Sequence, residues 1–165
     1  LERILDTITI AINDMREIAR NLRPYQLDTF GLSEALRSTL KRVGEAASIN
    51  FTVEVDDVAN LFSKEAETNI FRIVQESANN IVKHSAATEA WFIVRRLPEE
   101  VTIEIRDNGK GFDIEQVTKS GKRGLGLSGI GERVRIIGGT YHVASQPGKG
   151  TATDIVIPFN GTPTP

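Results

Sequence analysis

Apolar residues recur at heptad spacing over residues 1–22, which predicts a helix with one continuous apolar stripe. Three positions of each seven-residue repeat are apolar, occupied by Leu1, Ile8, Met15 and Leu22, by Ile4, Ala11 and Ile18, and by Leu5, Ile12 and Ala19. A stripe of this width suits a helix of a four-helix bundle. We therefore expect it to pack on a second copy of the chain, and the alternative is packing on the chain's own globular part.

The rest of the chain predicts alternating helices and strands. Pro24 ends the first helix and opens a connector, after which Ser33 is a candidate N-cap for a helix to about Ala47. A longer helix is predicted from Lys64 to about His84, with Ser63 as its cap. Alternating or continuous apolar runs predict strands at 51–55, 90–94, 101–106, 140–146 and 151–158, and a further helix follows the glycines at 124–131.

Composition describes an ordinary globular protein. The chain has 165 residues, 39% hydrophobic and 25% charged, which favours one domain with at most a small appendage. Its net charge of -2 disfavours a nucleic-acid partner, and the absence of cysteine excludes disulfides and thiolate metal sites. No apolar run approaches the roughly 18 residues of a membrane helix. Because position 1 is Leu, we expect a piece of a longer protein whose membrane anchor, if any, lies upstream.

A candidate site follows the strand at 101–106. There the sequence Asp107-Asn108-Gly109-Lys110-Gly111 places a carboxylate at a strand end, followed by two glycines that let the backbone approach a ligand closely. The alternative interpretation is a hairpin turn, because Asn-Gly is a strong turn sequence.

The long helix carries a second group of candidate residues. Glu76 and Asn80 are four residues apart, so an α-helix presents both to one spot, with Lys83 and His84 one turn further on. A carboxylate and an amide oxygen suit Mg²⁺, and the two basic residues could reach the phosphates that accompany such an ion. The alternative is a solvated helix face.

The glycine-rich stretch Gly124-Leu125-Gly126-Leu127-Ser128-Gly129 runs into a helix. Free N–H groups and the helix dipole make such a junction suitable for binding an anion. The polar residues 113–123 before it predict a mobile loop. The stretch lacks the Gly-Lys-Ser/Thr of a P-loop and does not follow a buried strand, which disfavours a dinucleotide-binding fold.

Four motifs in one order resemble the N, G1, G2 and GT boxes of the GHKL ATP-binding fold, which gyrase, Hsp90, histidine kinases and MutL share. They are Glu76-x-x-x-Asn80, Asp107-x-Gly109-x-Gly111, Gly124-x-Gly126 and Gly148-x-Gly150-Thr151. Further stretches resemble two-component histidine kinases of the nitrate/nitrite-sensor type, namely Leu22-Arg23-Pro24, Phe71 to Ser77, Lys83-His84 and Gly131-Glu132-Arg133-Val134.

This resemblance implies an α+β two-layer sandwich, with a mixed, mostly antiparallel sheet packed on helices. It implies that residues 1–23 are the second helix of a dimerisation and phosphotransfer bundle. Residues 24–159 are then the ATP-binding catalytic domain, with a lid at about 113–123, and 160–165 are a flexible tail.

The resemblance also assigns roles to single residues. Asp107 accepts a hydrogen bond from the exocyclic amine of adenine, Gly109 and Gly111 let the base lie against backbone, and Thr151 supports that end through a water. Asn80 coordinates Mg²⁺. Residues facing the phosphates are Lys83, His84, Gly124, Gly126 and Leu127.

The role of Glu76 stays open: it either holds the Mg²⁺ shell through water, which we favour for a kinase, or orients an attacking water as in the ATPases.

The implied activity is that of a histidine protein kinase in the cytoplasm, homodimeric through the bundle helix. It transfers the γ-phosphoryl group of Mg·ATP to a histidine and then to the receiver domain of a response regulator. The acceptor histidine belongs upstream of Leu1, and neither His84 nor His142 matches it, so we expect this chain to bind ATP without phosphorylating itself. The alternatives are an ATP-hydrolysing dimer clamp of the gyrase, Hsp90 or MutL type, and a non-catalytic nucleotide-sensing dimer.

Overall fold

The computed structural model describes residues 23–115 and 127–159. The predicted bundle helix, most of the predicted lid, Gly124 and Gly126, and the predicted tail lie outside these residues. No helix in the described part combines the length and apolarity needed to cross a bilayer.

Three α-helices, one π-helical turn and five strands make up the described part. In chain order they are α1 (Tyr25–Ala47), β1 (Asn50–Val55), α2 (Lys64–Asn80), the π-turn (Ile81–Ser85), β2 (Glu89–Arg96), β3 (Glu100–Asp107), α3 (Leu127–Ile136), β4 (Thr140–Ser145) and β5 (Thr151–Pro158).

The strands form one sheet in the order β1-β2-β3-β5-β4. Strand β1 pairs with β2 in parallel, because α2 and the π-turn cross over between them, and the remaining pairs are antiparallel. The helices cover one face of this sheet, so the prediction of a two-layer α+β sandwich with a mixed, mostly antiparallel sheet is confirmed.

The core lies between the sheet and the helices. Strands β2, β3 and β5 bury alternate residues, as the period of two requires, and the outer strands β1 and β4 mostly alternate exposed with half-buried residues. The largest buried side chains are Leu32, Leu36 and Leu40 of α1, Ile70, Ile73 and Val74 of α2, and Phe92, Val94, Ile103, Ile155 and Ile157 of the sheet.

Helix α1 begins earlier than the sequence predicts. The expected connector is helical from Tyr25, and the helix is interrupted only at Gly31, whose φ of 73° and ψ of 172° lie outside the helical region. Ser33 does not serve as the expected cap. Its buried hydroxyl instead accepts a hydrogen bond of 3.0 Å from the Val58 N–H, which ties α1 to the segment after β1.

Helix α2 begins as expected, because the Ser63 hydroxyl accepts a hydrogen bond of 3.2 Å from the Ala66 N–H. Its α-helical geometry ends at Asn80 rather than near His84, and the π-turn follows. A π-turn uses i→i+5 bonds, so the α-helical angle per residue no longer applies after Asn80. Lys83 and His84, predicted to lie one α-helical turn beyond Asn80, therefore lie on a π-turn instead.

Candidate functional site

A cavity of about 170 Å³ lies between the end of α2, the strand end at Asp107 and the start of α3. Its lining combines apolar walls with a few polar groups, which is typical of ligand sites. The lining residues are Ser77, Asn80, Ile81, His84, Ser85, Ile105, Asp107, Lys110, Gly111, Phe112, Leu127, Ile130, Thr151 and Thr153.

Asp107 supplies a buried carboxylate to this cavity. It ends β3 and lies opposite Thr151 in the pairing with β5. Its Oδ1 accepts a hydrogen bond of 2.8 Å from the Gly109 N–H. Burial raises the pKa of the Asp107 carboxyl, and hydrogen bonds from Gly109 and Thr151 offset only part of this rise. Asp107 is thus an oriented acceptor that loses much of its hydration.

The glycines beside Asp107 are required by close approaches within the chain itself. A Cβ added at Gly109 would lie 2.4 Å from the Ser85 carbonyl oxygen. At Gly111, where φ is +56°, a Cβ would lie 2.1 Å from the carbonyl oxygen of Gln146. The loop is therefore packed against the π-turn on one side and the β4–β5 turn on the other. The expectation that these glycines admit a base against the backbone stays a prediction.

Asn108 fixes the loop to the start of β2. Its Oδ1 accepts hydrogen bonds from the N–H groups of Thr88 and Glu89, at 3.0 and 3.1 Å. Its Nδ2 donates to the Thr88 hydroxyl at 2.9 Å. Local sequence gives no sign of this role, because Asn-Gly indicates only a turn and the partners of Asn108 are 19 and 20 positions away.

Ser145 plays a similar part on the other side of the loop. Its hydroxyl accepts a hydrogen bond from the Phe112 N–H and donates one to the Gly150 carbonyl, both at 2.9 Å. It also lies 3.1 Å from the Thr151 hydroxyl. Ser145 therefore joins the Asp107 loop to the start of β5, a role that its place in an alternating strand did not indicate.

Another part of the cavity wall comes from the end of α2 and the π-turn. Asn80 and His84 both line the cavity, whereas Glu76 and Lys83 are outside its lining. Glu76 is half-buried and Lys83 is exposed. The hydroxyl of Ser85 bonds the Ile81 carbonyl at 2.6 Å and accepts from the Ala87 N–H at 3.0 Å, which ends the π-turn beside Gly109.

The described residues thus bring together Asn80, His84, Asp107, Gly111, Leu127 and Thr151 of the predicted site. Gly109 adjoins this group of residues, because its backbone N–H donates a hydrogen bond to the Asp107 carboxylate. Leu127, the first described residue of α3, and Ile130 of the same helix line the cavity, and phosphate binding at the start of this helix stays a prediction.

Within residues 23–115 and 127–159, no three His, Asp or Glu side chains are grouped as metal ligands. A protein cage for a cation is therefore not present in that part of the chain. The amide oxygen of Asn80 on the cavity wall suits a hard cation that takes its other ligands from water and from a bound phosphate chain.

A buried strand-end carboxylate, an apolar slot and the first described residue of α3 meet in one cavity of a two-layer sandwich. Residues 65–161 match the family described as histidine kinase-, DNA gyrase B-, and HSP90-like ATPase. The chain belongs to this family.

Curated relatives agree with this assignment. The chain is 36% identical to the sensor histidine kinase LiaS of Bacillus subtilis over 149 residues, which cover 90% of this chain and 40% of LiaS. The chain therefore spans less than half the length of that relative.

Solved structures share the fold. The blue-light activated histidine kinase of Erythrobacter litoralis EL346 matches with a TM-score of 0.65 at 20% identity, covering 78% of this chain and 42% of that one. Full-length ShkA, solved in complex with AMPPNP, matches with a TM-score of 0.63 at 18% identity, covering 80% of this chain and 31% of ShkA.

Proposed function

We propose that this chain is the ATP-binding catalytic domain of a two-component sensor histidine kinase. It holds Mg·ATP and donates the γ-phosphoryl group to a histidine on a helix outside these residues. The observation that carries the proposal is the buried Asp107 carboxylate in the lining of an apolar cavity that Asn80 and His84 also line.

The dimensions of the cavity suit the base rather than the whole nucleotide. At about 170 Å³ it is smaller than the roughly 300–1,000 Å³ of sites that enclose an entire ligand. Asp107 then accepts the exocyclic amine of adenine, with Thr151 beside it. Guanine carries a carbonyl oxygen at the corresponding position. This oxygen cannot donate a hydrogen bond to the Asp107 carboxylate, so binding of ATP is favoured over binding of GTP.

The phosphates extend toward the end of α2 and the start of α3. We assign His84, which lines the cavity, and the N–H groups at the start of α3 to the phosphates. We assign Asn80 to Mg²⁺, with Glu76 acting through water and Lys83 contributing charge from the exposed side. Mg²⁺, when bound, neutralises charge on the phosphates.

Transfer breaks the bond between the γ-phosphorus and the oxygen that links it to the β-phosphate. The unprotonated nitrogen of an imidazole forms a bond to that phosphorus with its lone pair, and ADP leaves with the electron pair of the broken bond. The imidazolium then gives the proton on its other ring nitrogen to water. The domain contributes positioning and electrostatic stabilisation rather than covalent chemistry.

The intact protein, in this proposal, dimerises through the apolar stripe of residues 1–22 and passes the phosphoryl group to an aspartate of a response regulator receiver domain. The reaction takes place in the cytoplasm, where ATP is available. The names of the relatives support this over an ATP-hydrolysing clamp.

Calorimetric titration with ATP and GTP tests the base contact. Asp107→Asn should lower ATP affinity by about 10- to 100-fold, the usual effect of losing a hydrogen bond to a charged group. Asp57→Asn is the matched control, because Asp57 is exposed and outside the cavity lining, and its contact with the Ala59 N–H can be kept by Asn. Unchanged affinity in Asp107→Asn would overturn the assignment.

Phosphoryl transfer is tested with the parent protein, which carries the acceptor helix, and ATP labelled at the γ-phosphate. The proposal predicts acid-labile label on the protein. Release of inorganic phosphate without labelled protein would instead indicate the clamp, and binding without either product a nucleotide sensor.

A further inference from the structure

The inner face of β5 changes from polar to apolar along its length. Thr151, Thr153, Ile155 and Ile157 are alternate residues, so their side chains share the face that packs toward the helices. Ile155 and Ile157 belong to the core, whereas the two threonines line the cavity. Thr153 is only 7% exposed, and yet it carries a hydroxyl. A polar group that is buried in this way needs a hydrogen-bond partner.

The Thr153 hydroxyl has no such partner within residues 23–115 and 127–159. It makes no hydrogen bond to any side chain or backbone group of those residues. The hydroxyl is not sealed inside the core either, and Thr153 belongs to the lining of the cavity. It is therefore open to a polar group of a molecule bound in that space.

The other lining hydroxyls of the described residues are already engaged within the chain. Those of Ser77 and Ser85 donate to helical carbonyl oxygens, at 2.9 and 2.6 Å. The Thr151 hydroxyl donates to the Asp107 carboxylate. Among the residues that the structure describes, Thr153 thus contributes the one lining hydroxyl whose hydrogen-bonding capacity is wholly unused.

Thr153 lies beside Asp107 on the same face of the sheet. In the pairing of β3 with β5, Asp107 is opposite Thr151 and Ile105 is opposite Thr153. Asp107 and Thr153 are thus diagonal neighbours, whose Cα atoms are about 7–8 Å apart in such a ladder. Two acceptors that take the two hydrogens of one amine lie about 5 Å apart at ordinary hydrogen-bond distances. Side chains of a diagonal pair can provide that separation.

We propose that Thr153 is a specificity-determining residue for the base, because its hydroxyl accepts the second hydrogen of the exocyclic amine of adenine. This inference rests on the proposed function, in which Asp107 accepts the first hydrogen. A second hydrogen left unpaired between apolar walls would weaken binding. The two acceptors together select an unsubstituted amine, whereas Asp107 alone requires only one hydrogen.

Calorimetric titration of this chain with Mg·ATP and with the N6-methyl analogue of ATP tests the contact. The single amine hydrogen of the analogue goes to Asp107, because a carboxylate is the stronger acceptor. Thr153→Val keeps the branched shape and removes the hydroxyl. It should lower ATP affinity by about 5- to 10-fold and leave the affinity for the analogue unchanged. Equal losses for the two nucleotides, or no loss for ATP, would overturn the inference.

Thermal unfolding of the nucleotide-free chain separates this role from a structural one. Because the Thr153 hydroxyl has no partner in the described chain, Thr153→Val should leave the unfolding midpoint unchanged or raise it. A hydroxyl that holds the fold together would instead lower the midpoint when removed. A midpoint that falls together with ATP affinity therefore contradicts the assignment.

Three further variants control the comparison. Thr153→Ser keeps the hydroxyl and should retain the preference for ATP over the N6-methyl analogue. Thr102→Val makes the same substitution on β3, where Thr102 is half-buried and outside the cavity lining, and should leave both affinities unchanged. If the preference is lost in Ser77→Ala and retained in Thr153→Val, Ser77 is the acceptor and the inference is wrong.

Failure of this inference can be distinguished from failure of the proposed function. An unsubstituted chain that binds neither nucleotide contradicts the proposed function. An unsubstituted chain that binds ATP, with the same preference over the N6-methyl analogue as Thr153→Val, contradicts only the role of Thr153.

Discussion

At the scale of single residues, the site depends on a carboxylate that folding removes from water. The alternation of residues 101–106 was enough to place Asp107 at the end of a strand, and its proximity to Thr151 follows from the pairing of β3 with β5. The residues that hold its loop could not be found in the same way. Asn108 and Ser145 bond partners 20 and 33 positions away, and no local pattern encodes such contacts.

The raised pKa of Asp107 predicts a pH dependence of stability. A group whose pKa is higher in the folded than in the unfolded protein stabilises the fold while it is protonated. This stabilisation is complete at pH values below the unfolded-state pKa, and it is lost as pH rises through the folded-state pKa. Asp107→Asn does not titrate. Its free energy of unfolding, relative to the unsubstituted chain, should therefore increase as pH is raised from below 3.8, the ordinary value for the carboxyl, to neutrality.

Urea denaturation of both proteins across that range measures the difference directly. Replacing a carboxyl oxygen of Asp107 by the amide nitrogen of Asn also changes the free energy of unfolding, but by an amount that does not depend on pH. The expected increase with pH is therefore unaffected. A difference that is flat or that decreases with pH would contradict the raised pKa.

At the scale of elements, the strands and the start of α2 followed from local patterns, because alternation and capping depend on neighbouring residues. The π-turn and the helical stretch before Gly31 did not. Both depend on distant packing, shown by the contact of Ser85 with the Asp107 loop and by the burial of Leu27.

The π-turn predicts unequal roles for its two basic residues. Both side chains are exposed, but His84 lines the cavity and Lys83 is outside the lining. His84→Ala should therefore lower ATP affinity by about 10-fold, within the range for one hydrogen bond to a charged group, and Lys83→Ala by less. Titration of both variants with ATP at two salt concentrations distinguishes a direct contact from a long-range charge effect, because salt screens the second more strongly. A larger loss in Lys83→Ala would contradict the geometry.

The glycines of the loop and of α3 make a second contrast at this scale. Gly109→Ala places a Cβ 2.4 Å from the Ser85 carbonyl oxygen, so the loop must move and the protein must lose stability. Gly129→Ala lies in α3 with nothing within 4 Å of the added Cβ. It should be neutral or stabilise by up to about 1 kcal/mol through helix propensity. Thermal unfolding compares them, and equal midpoints would contradict the close approach at Gly109.

At the scale of the whole molecule, one sheet order, β1-β2-β3-β5-β4, brings residues of three of the four motifs, Asn80, Asp107 and Thr151, to a single cavity. Local periodicity could not predict that order, because it is set by which strands pair across long sequence separations. The ordered set of motifs, through its resemblance to a known family, supplied what periodicity did not.

The central claim is that ATP binds in the cavity beside Asp107 with its phosphates toward α3. Amide chemical shifts of the ¹⁵N-labelled chain, recorded during titration with a non-hydrolysable ATP analogue, test it most directly. The predicted result is saturable shifts at Gly109, Gly111, Asn80, His84 and Thr151, all of which are lost in Asp107→Asn. Shifts confined to the groove between α1 and β1, around Lys41 and Phe51, would contradict the claim.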